Sequence, residues 1–231
     1  MEGIGNIDIF ATKGIEYLLV IGYLMILIFF WRFLNKPALA SAGRAEVATR
    51  SAPRGWFSLA DGFYFHQGHT WARPEANNTV KVGVDDFAQK LIGKPDSIML
   101  PQVGGSIKQG EKGWQLRVDS KSIEMLSPVD GEVLAVNEEV LNAPEQILQD
   151  PYHKGWLMKI RVPKMKSNLR NLLSGKLAIA CLEDSVNKLR QMMAGDLGLV
   201  LQDGGFPVSG FAKQISPDKW DEIAREFFLT E

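Results

Sequence analysis

Thiol chemistry is nearly missing from this chain of 231 residues, which holds one cysteine, Cys181. A single thiol can neither close an internal disulfide nor supply a CxxC metal site, and such usage fits a reducing compartment. Surplus charge is missing too. Lysine and arginine number 26 against 27 aspartates and glutamates, a formal net charge of -1, which leaves no general electrostatic attraction for nucleic acid. The three histidines, His66, His69 and His153, have no cysteine or carboxylate at metal-ligand spacing, so no metal is expected. No nucleophile–base pair and no phosphate loop stands out, so no catalytic residue is assigned and an enzyme is not expected. Internal repeats and low-complexity tracts are absent.

What is present is apolar material, 45% of the residues, enough for a proper core. It is unevenly spread. Tyr17 to Trp31 carries no charge, and with Gly14, Ile15, Phe33 and Leu34 the run reaches about 20 residues, the length a helix needs to cross the hydrocarbon core. The expectation is a retained transmembrane helix over residues 14–34. A cleaved signal peptide fits worse, because the run starts late and lacks a basic n-region and a small-residue cleavage site. Arg32, Lys36, Arg44, Arg50 and Arg54 follow the run. Positive flanks stay inside, so the short tail 1–13 is expected outside an inner or cytoplasmic membrane and the large domain in the cytoplasm. Residues 35–55 read as a basic linker near the lipid bilayer.

From Trp56 short apolar runs alternate with Gly, Pro, Asn and Asp clusters. Val80 to Val84 and Gly131 to Val136 have the alternation of half-buried strands, and Asn77-Asn78 and Asp130-Gly131 are turn material. Helical signals fall in three places. Asp85 to Ile92 opens on two acids and ends at Gly93. Asn168 to Met193 has leucines at three- and four-residue steps, with Gly175 as a break point. Ser216-Pro217-Asp218 reads as a helix start. It leads into a stripe of Trp220, Ile223, Ala224, Phe227 and Phe228. Most simply that stripe packs on its own domain; otherwise Trp220, Phe227 and Phe228 are anchors for a neighbouring subunit.

Several motifs, taken in order, resemble one family. They are His69-Thr70-Trp71, Gly83-Val84-Asp85-Asp86-Phe87-Ala88-Gln89, Leu100-Pro101-Gln102-Val103-Gly104, Ser127-Pro128-Val129-Asp130-Gly131-Glu132-Val133 and Asp150-Pro151-Tyr152 with Gly155-Trp156-Leu157. The stretch 62–180 is similar to the H-protein of the glycine cleavage system. The resemblance implies an α+β, β-rich barrel-sandwich hybrid like lipoyl and biotinyl carrier domains, over residues 56–180, with 181–231 as a helical extension. It also implies a swinging arm, a lipoylated lysine at a hairpin tip.

Counting from the motifs on either side places the family's lysine position on Ser120, and the acidic residue three places earlier corresponds to Arg117. Lys121 is one residue late, and in a strand such an offset turns a side chain to the other face. No cofactor is therefore expected, with lipoate on Lys121 as the alternative. The function expected is a non-catalytic accessory subunit, docking or stabilising, whose partners are the other subunits of a membrane complex of respiratory or redox type. A true lipoyl carrier tethered near a membrane oxidoreductase is the competing reading.

Overall fold

The computed structural model describes residues 9–34, 55–194 and 209–230. The tail before residue 9 and the linker over 35–54 lie outside the described residues. The chain divides into two compact units, Met1–Ala48 and Thr49–Glu231.

The first unit contains α1, Ile9–Leu34. Its side chains are described without interruption from Tyr17 to Trp31, all exposed except at Gly22. Among the described residues no helix is long and apolar enough to cross a membrane. This corrects the transmembrane assignment of residues 14–34, and with it the single-pass placement with the N-terminus outside and the domain in the cytoplasm. Glu16 and Arg32 flank the uncharged run from Tyr17 to Trp31.

The second unit is built from two antiparallel sheets. One runs β1 (Tyr64–Phe65), β2 (Thr70–Pro74), β3 (Thr79–Val84), β9 (Met158–Arg161), β8 (Gly131–Val136) and β5 (Ser106–Ile107) in spatial order. The other runs β4 (Ser97–Met99), β6 (Lys112–Val118) and β7 (Lys121–Leu126). Alternation puts Val80, Val82 and Val84 of β3, Ile160 of β9, Leu116 and Val118 of β6 and Ile123 and Met125 of β7 into one buried cluster. Between β2 and β3 the chain turns through Asn77 and Asn78, both left-handed with φ of 58° and 55°. Asparagine tolerates that conformation better than most residues.

Helix α2 (Asp86–Ile92) starts as its acids suggest. The Asp85 side chain accepts from the Ala88 N–H, and Gly93 closes the helix at φ 81°. Short helices α3 (Glu138–Asn142) and α4 (Gln146–Gln149) fill the β8–β9 connection. The leucine-rich stretch breaks into α5 (Met165–Arg170) and α6 (Gly175–Ala194). Between them Leu173 is drawn into reciprocal backbone bonds with Phe65, at 2.7 and 2.8 Å, which pulls the chain off any helical path. Helix α6 runs through residue 180, where the sequence reading divides domain from extension. Two further helices, α7 (Phe211–Ile215) and α8 (Trp220–Phe228), pack on α2 and β7. Ser216 is the C-cap of α7 rather than the cap of the helix that follows, and α8 begins only after Lys219.

Candidate functional site

The β6–β7 hairpin pairs Leu116 with Ile123, Arg117 with Ser122 and Val118 with Lys121, leaving Asp119 and Ser120 as its two-residue tip. Asp119 takes φ 53°, a left-handed state that a short polar side chain tolerates. The buried face carries Trp114, Leu116, Val118, Ile123 and Met125, while Arg117, Ser120 and Ser122 are exposed. The tip thus offers a carboxylate and a hydroxyl to solvent and no amine of its own.

Lys121 does not project beside it. Its Nζ donates to the Asp218 carbonyl at 2.7 Å and to Asp221 Oδ1, and lies 5.7 Å from the centre of the Trp220 ring. The other shoulder of the tip is tied as well. Lys213 Nζ meets Asp119 Oδ2 at 2.6 Å and sits 5.3 Å from the same Trp220 ring. Arg225 reaches the second Asp221 oxygen at 3.3 Å. Burial works against ionisation of Asp221. The hydrogen bond from Lys121, its own backbone N–H and the charges of Lys121 and Arg225 outweigh it and hold the carboxyl below its ordinary 3.8.

Trp220, Phe227 and Phe228, read from sequence as possible anchors for a neighbour, are 3%, 4% and 0% exposed. They point into their own core, because α8 must bury its apolar stripe and β7 and α2 supply the surface. Of the two readings of the stripe, this is the first, packing on its own domain. Of the groups that grip the hairpin, Asp218 is read from sequence only as part of a helix start, and Asp221 and Lys213 are not singled out. The charged run around Trp220 was the available signal, but it names no partner a hundred residues away.

Of the histidines, His69 is buried between Asp85 Oδ2 at 2.8 Å and Ser185 Oγ at 3.0 Å, and stacks on Phe87. The order Asp–His–Ser is that of a nucleophile triad. Here, however, Asp85 caps α2 and the Ser185 hydroxyl donates to the Cys181 carbonyl of its own helix. These are the bonds of a strut joining β2, α2 and α6. His66 accepts from the Gly68 N–H, and His153 lies against Asp150. A separate groove of about 740 Å³ runs between the segment 55–65 and α6, walled by Trp56, Leu59, Phe63, Leu182 and Val186.

Two sheets sharing one core, with a hairpin carrying a polar tip, form a β-rich domain of barrel-sandwich type. Residues 63–185 match the family model of the glycine cleavage H-protein. That is just over half of the chain, and the chain belongs to this family. It is 35% identical over 122 residues to a probable glycine cleavage system H protein of Pyrococcus abyssi, covering 53% of this chain and 90% of that protein. It is 34% identical over 116 residues to a glycine cleavage system H protein of Teredinibacter turnerae, covering 50% and 88%. A crystal structure of the Mycobacterium marinum glycine cleavage system H protein overlays with a TM-score of 0.43 at 24% identity, over 46% of this chain and 87% of that one. Helices α7 and α8 lie beyond the matched residues.

The family's lipoate needs a lysine amine presented to solvent. In this conformation the hairpin does not fit it: the tip residue Ser120 has no amine, and the Lys121 amine is engaged by Asp218 and Asp221.

Proposed function

We propose that this chain is an H-protein-fold accessory subunit that docks within, or stabilises, a larger protein assembly and carries no lipoyl arm. The observation that carries this reading is Ser120, an exposed hydroxyl at the tip of a two-residue turn where the family resemblance calls for a lysine. The scaffold around it is kept: buried Trp71, the Asp85 cap and the packed hairpin face. The changed residues cluster at the tip, as expected when a carrier fold is used for its surface rather than its arm.

Co-expression with a lipoate-attaching enzyme tests this directly. The unaltered chain should stay unmodified, whereas Ser120→Lys should gain one lipoyl amide at residue 120, read by intact mass and peptide mapping. Modification of the unaltered chain would overturn the reading. Native mass spectrometry of protein isolated under mild conditions should show it bound to other subunits; a lone monomer would count against the docking role.

A second reading, a lipoyl carrier that uses Lys121, has the family itself behind it, and Lys121 is one step from the tip with its side chain 32% exposed. It requires the amine to leave α8. The same peptide map distinguishes it, since the added mass would then lie on Lys121.

A further inference from the structure

From the contacts between the hairpin and the C-terminal helices, we propose that α8 is an intramolecular latch that keeps the Lys121 amine from acylating chemistry. Two of the three protons on Nζ are directed at the Asp218 carbonyl and Asp221 Oδ1, and the Trp220 ring covers part of the remaining approach. To attack an acyl carbonyl the nitrogen must lose a proton and expose a lone pair. Both require it to leave that cradle. The cradle is fixed from behind, because Trp220, Phe227 and Phe228 are buried in the core and Arg225 holds the second oxygen of Asp221. Lys213 on α7 pins Asp119 at the same time, so both shoulders of the tip are held by one pair of helices.

Ion pairing alone does not set Lys121 apart. Lys108 and Lys219 also face carboxylates, Glu111 and Glu222, yet their side chains are 71% and 70% exposed against 32% for Lys121. What separates Lys121 from those two is enclosure: a backbone carbonyl, a buried carboxylate and an indole converge on its ammonium. The function of such a contact is to hold the hairpin lysine next to the tip out of reach of lysine-acylating enzymes until something displaces α8 from it. The latch concerns the same hairpin and rests on the reading that no arm is carried in the closed state. The two can nevertheless fail separately, because amine reactivity is measured without lipoate.

The test is competitive labelling of the folded full-length chain with limiting acetic anhydride. The amine nitrogen bonds to one carbonyl carbon, acetate leaves, and the displaced proton passes to buffer. Acetylation is then quantified peptide by peptide. Lys121 should react about tenfold more slowly than Lys108 and Lys219, the factor expected from one charge-assisted bond that must open first. Asp221→Ala should bring Lys121 close to the rate of those two lysines. Asp221→Asn, which preserves shape, should give an intermediate rate and guards against loss of fold in the alanine variant. Labelling of Lys121 at the Lys108 rate in the unaltered chain would overturn the latch. So would slow labelling that persists in both variants while their unfolding curves show intact folds.

Discussion

Lys121 and Asp221 stand a hundred residues apart in the chain, and their meeting ties β7 to the start of α8. Charge-assisted bonds of this kind contribute about 1.5–3 kcal/mol when partly buried. The exposed partner on the other shoulder, Asp119 with Lys213, is worth less, since its carboxylate is open to screening. The Asp221 carboxyl is held below its ordinary 3.8 in the folded state. A group depressed on folding adds stability at pH above its unfolded value and loses that share as the pH falls through the folded one. Urea unfolding of the unaltered protein should therefore weaken as the pH drops below about 4, and Asp221→Asn should flatten that acid limb while lowering stability at neutral pH. An acid limb of equal steepness in both proteins would remove Asp221 from the linkage.

Element by element, local chemistry settles the parts whose partners lie close in sequence. The Asp85 cap and the Gly93 stop of α2 are written in adjacent residues, as is the Asn77-Asn78 turn. The tip of the β6–β7 hairpin is also readable, because motifs on both flanks fix the count to Ser120. Strands β1 and β5, two residues each, are too short to show alternation. The start of α8 is misread because Ser216-Pro217-Asp218 has the composition of a helix cap. In the fold Ser216 ends α7, and the Asp218 carbonyl is taken by Lys121. The close approach of β2 to β3 is another feature no pattern announces. A Cβ at Gly83 would lie 2.6 Å from the Trp71 ring, which is fully buried and donates to the Val84 carbonyl. Gly83→Ala should cost about 2–3 kcal/mol through forced displacement of that ring, read as a lowered urea midpoint with an unchanged slope. A cost within about 0.5 kcal/mol, the usual range for surface changes, would mean that the ring yields freely.

For the second unit as a whole, the C-terminal helices are part of the core and not an appendage to it. Phe211, Trp220, Phe227 and Phe228 belong to the same buried cluster as the strands of both sheets. Phe228→Ala should consequently destabilise the unit by about 3–5 kcal/mol. Loss of hairpin packing and loss of α8 should occur in one transition, followed by hydrogen exchange at β7 and α8. Separate transitions would make α8 an independent cap. Such docking across the chain is what sequence patterns conceal: they show that α8 has an apolar stripe without showing which surface receives it. The apolar run of α1 misled in the opposite way: its composition is legible, yet no described helix is long and apolar enough to cross a membrane.

The hairpin of the protein isolated from its own cells is where the central claim is most directly exposed. The mass of the peptide spanning Trp114 to Leu126 reports on Ser120 and Lys121 together. It is expected to equal the unmodified sequence, with fragment ions carrying bare serine and bare lysine. A lipoyl amide on Lys121 in that native peptide would contradict a hairpin whose amine is kept closed by its own C-terminal helix.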